Sequence, residues 1–305
     1  MKSTKNILQN ASFLKEARAD IDQYKQAILQ NKSIQLFLNQ HSSQVTTEMI
    51  HHHLSKLNEF IEQTAHCEKC VDYSACSNMM HGFRPELQLD RGQIELHYLP
   101  CEKEIVAENK RKIQRLIHTV NAPLEIRQAK LTELDAGAEG RELAVKKILQ
   151  HAQEATNCER KGLYFHGPFG TGKTFLLGVL ANKFAEQGIA SYIVYWPDFL
   201  RELKGSFENN TANQKVNSLR EVSVLMIDDI GAEAMSPWVR DEVLGTILQY
   251  RMQQKLPTYF TSNFNFAELE QHLTGGQEAA KARRLMERIK FLAEPVEVAG
   301  ENRRN

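Results

Sequence analysis

The chain has 305 residues, comfortable for two domains, and 42% of them are apolar and able to form cores. Basic and acidic residues number 38 each, so net charge is zero and no global field drives the chain onto nucleic acid or membrane. No run approaches the roughly 20 apolar residues that span a bilayer, and Met1-Lys2-Ser3-Thr4-Lys5-Asn6 lacks the apolar core of a secretion signal, so a soluble cytoplasmic protein is expected.

Residues 1–120 read as one unit. Phe13, Ala17, Ile21, Tyr24 and Ile28 recur at three- and four-residue steps and predict an amphipathic helix. Met49, Ile50, Leu54, Leu57 and Ile61 predict another. His51-His52-His53 lies on that helix, where consecutive residues face different directions, and reads as a solvated face. Leu87 and Leu89, then Ile94, Leu96 and Tyr98, alternate as strands do, and Asp90-Arg91-Gly92 between them predicts a hairpin. A short helix is expected over 111–119. The pattern breaks at Asn121-Ala122-Pro123 and again at Asp135–Gly140, which places a linker at 121–140.

Four of the five cysteines cluster in the first unit. Cys67 and Cys70, two residues apart, can bind one Zn²⁺ from a single tight turn, and Cys76 and Cys101 complete a tetrahedral set. His66, His81 and His97 are near, and His81 is the main substitute for a thiol. A closed set of four ligands leaves no position for substrate, so a structural zinc site is expected. Cys158 stands alone and reads as an ordinary residue.

From 141 to 305 the pattern changes to strands alternating with helices, the mark of an α/β fold with a parallel sheet. Strands are predicted at 163–166, 190–195, 223–228, 257–262 and 295–299. Gly167-Pro168-Phe169-Gly170-Thr171-Gly172-Lys173-Thr174 fits G-x-x-x-x-G-K-[ST], between a short apolar strand and a helix that starts near Phe175. Its backbone N–H groups can cradle phosphates, Lys173 can reach the β- and γ-phosphates of ATP, and Thr174 can hold Mg²⁺. The predicted strand Val222–Asp229 ends in two acids. Asp228 is expected to support Mg²⁺, and Asp229 to orient or deprotonate the attacking water. Asn263 ends the next strand and can bond the water or the γ-phosphate, or cap the following helix. Arg288, on a basic helix, suits the charge of a transferring phosphoryl, in this subunit's neighbour, or else a solvated face. Single-stranded DNA requires a basic, partly aromatic surface, for which Lys204, Phe207, Lys215 and Arg220 are the candidates. Trp196 and Phe199 read more readily as core.

With these motifs the chain resembles the DnaI family of bacterial replicative helicase loaders over nearly its whole length. The resemblance rests on the phosphate loop, Asp228-Asp229, Phe260-Thr261-Ser262-Asn263 and the tail Gly300-Glu301-Asn302-Arg303-Arg304. In the first unit it rests on the cysteine cluster before Met79–Pro85. It implies an AAA+ fold with a five-stranded parallel sheet in 141–305, preceded by a small, mainly helical zinc-binding domain that docks on the hexameric replicative helicase. ATP and single-stranded DNA would control loading, alongside other primosome proteins. Lys173 and Thr174 match the Walker A positions, Asp228 and Asp229 the Walker B, Asn263 sensor 1 and Arg288 the arginine finger. Arg303 or Arg304 matches sensor 2. Family members use a histidine near Gly82-Phe83 as a zinc ligand, whereas position 84 here is arginine. The segment after Asn263 is short for the helical lid of AAA+ proteins, so a neighbour or the helicase would complete the grip on ATP. Two other readings share these motifs: a transposition-helper ATPase of the IstB kind, and a zinc adaptor that binds ATP with little turnover.

Overall fold

The computed structural model describes residues 22–120, 124–134, 140–154, 161–206, 211–274, 278–300 and 302. Contacts divide the chain into two units, Met1–Lys110 and Arg111–Asn305, a boundary earlier than the one expected at 120.

In the first unit a helix over 22–29 is followed by Lys32–Gln40, Thr47–His52 and Leu54–Lys69. The helical starts are written in side chains. Asn31 Oδ1 accepts from Ser33 N at 3.0 Å, and Thr46 Oγ1 from Met49 N at 3.2 Å, so each satisfies N–H groups that the first turn leaves orphaned. The helix expected around Met49–Ile61 is broken at His53, which donates its ring Nδ1–H to Met49 O at 2.8 Å. His51 and His52 are exposed, as a solvated face requires. Strands β1 (Phe83–Asp90) and β2 (Gln93–Pro100) form the expected hairpin. Its two-residue turn puts Arg91 at φ 48° and Gly92 at φ 74°, the double left-handed geometry that matches the twist of antiparallel strands. Ile28, Ile34, Phe37, Leu57, Leu87 and Ile94 form the core, each burial contributing about 1.5–3 kcal/mol. The part of the first predicted helix before residue 22 lies outside the described residues.

The second unit is a parallel sheet between helical layers. Its strands are β3 (Ile117–Val120), β4 (Gly162–His166), β5 (Ser191–Tyr195), β6 (Val224–Asp228), β7 (Thr258–Ser262) and β8 (Ala293–Glu297), in the order β3-β5-β6-β7-β4-β8. Six strands replace the expected five. The additional strand, β3, was read as the end of a short helix, because Ile113, Leu116 and Ile117 fit a helical period. The helix Glu102–Arg115 stops before it, and the four residues of β3 pair with β5 from Ile117↔Ser191 to Val120↔Val194. β3 is an edge strand with one fully buried side chain, Ile117, so its alternation is too short to read.

The inner strands alternate between two cores. Leu163 and Phe165 of β4, Val224 and Met226 of β6 and Tyr259 of β7 face a core shared with helices Glu142–Gln153 and Lys173–Glu186. Tyr164, Leu225, Ile227 and Phe260 face a second core with helices Trp196–Gly205, Ala212–Glu221, Gly245–Gln253 and Ala279–Leu292. Burial on both faces explains why these strands read as continuous apolar runs. A π-helical segment, Trp238–Leu244, precedes Gly245–Gln253. Among the described residues, no helix is long and apolar enough to cross a membrane.

Candidate functional site

Parallel strands present their carboxyl ends at one edge, where ligands of open α/β sheets bind. Here β4, β7 and β6 are successive neighbours, so the loops after them meet. From β4 the chain turns through Gly167 (φ 142°), Gly170 (φ 77°) and Gly172 (φ 83°), a path open to glycine without strain. Gly172 caps Lys173–Glu186, whose first N–H groups and positive dipole end therefore face the loop. Thr171 is buried and donates to Pro168 O at 3.0 Å, which holds the turn closed. Phe169 is exposed at the tip, and Phe175 packs against the core under the helix.

Lys173 is 7% exposed. Its ammonium donates to Gly167 O at 2.8 Å, Pro168 O at 2.7 Å and Asn263 Oδ1 at 2.9 Å, so a phosphate would replace bonds that hold the charge in the loop. Thr174 Oγ1 donates to Asp228 Oδ1 at 2.9 Å, and Thr261 Oγ1 donates to the same oxygen at 2.5 Å. Burial pushes the Asp228 carboxyl up to about 6, against the two hydroxyl bonds that favour its charged form. Thr174 and Asp228 are thus a hydroxyl and a carboxylate on one point, the donor chemistry that suits Mg²⁺.

Asp229 has φ 61°, costly for a residue with a side chain. Bonds from Asp229 N to Thr261 Oγ1 at 2.8 Å and from Ile230 N to Thr261 O at 2.9 Å hold that conformation. Asn263 Nδ2 donates to Asp229 Oδ1 at 2.9 Å while its Oδ1 accepts from Lys173. Asn263 therefore bridges the ammonium and the second acid. The helix-capping role weighed for it falls to Asn265, whose Oδ1 accepts from Ala267 N and Glu268 N at 2.9 and 3.0 Å.

In the first unit Cys67, Cys70, Cys76 and Cys101 are free thiols that line one cavity of about 230 Å³ with His66, Asn78 and Arg84. Asn78 Nδ2 donates to Cys67 Sγ at 3.0 Å, Gly82 N to Cys76 Sγ at 3.3 Å and Glu104 N to Cys101 Sγ at 3.4 Å. Donors aimed at sulfur orient these side chains, as outer groups orient the ligands of a metal. His66 Nδ1 is buried with no hydrogen-bond partner among the described residues. His66 lines the cavity, whereas His81, the expected substitute, is not among the lining residues and its ring meets Tyr73 edge-on at 4.5 Å. Among the described residues, no three His, Cys, Asp or Glu side chains are grouped closely enough to hold a metal ion as they stand.

Comparison with known proteins matches a family model to each unit. Residues 1–98 match the family model of the primosomal protein DnaI N-terminus, and residues 93–305 that of the IstB-like ATP binding protein. The replicative helicase loader DnaI of Bacillus subtilis (strain 168) is 38% identical over 303 residues, 98% of this chain and 97% of that protein. The chain belongs to the DnaI family. A crystal structure of DnaI superposes with TM-score 0.58 at 46% identity, covering 63% of this chain and all of the other. The DnaC helicase loader shares the fold, with TM-score 0.50 at 22% identity over 58% of this chain and all of that one. An AAA+ ATP-binding fold is thereby shown for this member of the family.

Other expected residues are placed as follows. Arg288 donates to Gly245 O at 2.7 Å within its own chain, and burial lowers its guanidinium from the ordinary value. Arg303 and Arg304 lie outside the described residues. Asn302 just before them stands on the phosphate loop, its Oδ1 1.8 Å from where a Cβ on Gly170 would fall. Of the DNA candidates, Lys204 is exposed, Lys215 pairs with Glu202 at 3.3 Å and Arg220 lies 4.6 Å over the Tyr250 ring. Phe207 lies outside the described residues. Trp196 and Phe199 are core, as expected.

Four residues at or behind the site were missed. Thr261 bonds both acids' surroundings, Tyr195 reaches Asp229, Glu233 holds the following turn, and Arg251 ties helix Ala212–Glu221 to β7. Thr261 lies two residues before Asn263 in Phe260-Thr261-Ser262-Asn263, a segment read for the resemblance and for Asn263 alone. Of the other three, Glu233 and Arg251 are buried and Tyr195 half-buried by tertiary packing, for which one sequence carries no signal.

Proposed function

We propose that this protein is an ATP-dependent loader of the hexameric replicative helicase onto single-stranded DNA during replication initiation and restart. The single observation that carries this reading is the joining of Lys173, Thr174, Asp228, Asp229 and Asn263 by side-chain hydrogen bonds in a chain that aligns end to end with a DnaI loader. The first unit docks on the helicase, and the second binds ATP and DNA as its switch. The division 1–120, 121–140 and 141–305 is proposed in altered form, with the docking unit ending at Lys110 so that β3 falls in the ATPase unit.

ATP hydrolysis follows from the acid pair. Lys173 and the loop amides bind the β- and γ-phosphates. Thr174 and Asp228 would hold Mg²⁺, which supplies charge neutralisation at the phosphates. Asp229, fixed by Asn263, orients the attacking water and takes its proton as the water oxygen bonds to the γ-phosphorus. The bond from that phosphorus to the β–γ bridging oxygen breaks, leaving ADP and phosphate. Arg288 would act on the ATP of a neighbouring subunit after release from Gly245 O. Arg303 would reach the nucleotide from the tail, a role supported by Asn302 lying on Gly170.

The cysteine cavity is proposed as a structural zinc site of Cys67, Cys70, Cys76 and Cys101. Support comes from four thiols on one cavity with three donors to sulfur. Zinc there would rigidify the docking unit.

The IstB-like match over 93–305 favours a second reading, a transposition-helper ATPase. The DnaI N-terminal match over 1–98 argues against it. Copurification decides: the loader reading expects the replicative helicase with the full chain, and recovery of a transposase with no helicase would refute it.

A further inference from the structure

The joint between β5 and helix Trp196–Gly205 touches both acids that follow Asp228. Tyr195 ends β5, pairs in register with Asp228 and occupies the position before the helix. Its hydroxyl donates to Asp229 Oδ2 at 3.5 Å, while Asn263 occupies Oδ1. The next residue, Trp196, is 0% exposed, and its indole N–H faces the Glu233 carboxyl and favours its charged form, against the burial that raises it to about 7. Glu233 holds the other side of the same turn, because its Oε2 accepts from Gly231 N at 2.8 Å. Gly231 has φ 97°, and the Phe264 ring lies 2.7 Å from where its Cβ would fall, so the turn has little room to move independently.

These contacts give Asp229 a second source of orientation. Its backbone is in a left-handed conformation that neighbouring bonds must maintain. A carboxylate that orients water needs a fixed direction, and one hydrogen bond to Oδ1 leaves rotation about the side chain. We propose that Tyr195 is a positioning residue for Asp229. The proposal deepens the ATPase reading of Asp229 and rests on it.

The test uses the full chain with Tyr195→Phe, which removes one hydroxyl from a half-buried site. Saturating turnover, KM for ATP and binding of a fluorescent ATP analogue are measured beside the parent and Lys173→Ala. The expected result is kcat about fivefold lower or more with KM and analogue affinity within about twofold, the split of a residue acting on the chemical step alone. A parent that turns over ATP while Tyr195→Phe is unchanged or faster overturns this inference and leaves the ATPase reading intact. A parent no faster than Lys173→Ala overturns both.

Discussion

Thr174 Oγ1 donates to Asp228 Oδ1 at 2.9 Å, so the two groups expected to hold Mg²⁺ meet at one point. Preorganisation of this kind avoids rearrangement at the moment of binding. Asp228→Asn keeps the shape and removes the charge. ATP turnover is expected to fall at least about 100-fold, with a smaller loss of Mg²⁺-free nucleotide affinity. Equal losses of turnover and Mg²⁺-free affinity would show a general disruption instead.

The raised Asp228 carboxyl gives a direction for pH dependence. Mg²⁺ competes with the proton, so the Mg²⁺ dependence of ATP binding should weaken as pH falls through about 6 and level off above it. Stability without metal runs with the opposite sign. The folded chain holds this proton more tightly than the unfolded one, so burial of Asp228 disfavours folding as pH rises from the ordinary carboxylate value through about 6. Isothermal titration with Mg·ATP at pH 5.5 and 7.5 checks the first statement. Identical affinities would contradict it.

The parts legible in the sequence are those with local signals. Glycine spacing marked the phosphate loop, and the apolar run before Asp228-Asp229 marked β6, because two-sided burial leaves no alternation to misread. Asp90-Arg91-Gly92 marked the hairpin turn. Hidden were β3, whose four residues follow a helix and share its apolar period, and the distinction between His66 and His81. That choice depends on how Leu54–Lys69 ends against Gly82 and Phe83, which spacing does not encode. Arg251 was invisible because its partners are backbone carbonyls from distant segments.

Arg251 is 0% exposed and donates to the carbonyls of Leu219, Arg220, Val222 and Pro257 at 3.1, 3.1, 2.8 and 2.6 Å, and to Thr258 Oγ1 at 2.9 Å. It ends helix Ala212–Glu221 and fastens it to β7. Burial lowers the guanidinium to about 9. Arg251→Met should destabilise the protein by about 3 kcal/mol or more, because several buried carbonyls lose their donor. Urea unfolding checks this, and a loss under about 1 kcal/mol would contradict the assigned role.

For the cysteine cavity the expected stoichiometry is one zinc per chain, measured by plasma emission on protein purified without added metal. Cys67→Ser should lower that content and the melting temperature together, while His81→Ala should leave both near the parent. Full zinc in Cys67→Ser would remove that thiol from the set.

Loading itself is the central claim. The most direct measurement is the amount of hexameric replicative helicase retained on circular single-stranded DNA, with and without the full chain and ATP. The account predicts that the chain with ATP increases retained helicase and that Lys173→Ala abolishes the increase. Equal retention with and without the parent chain, under conditions where the chain binds ATP, would contradict it.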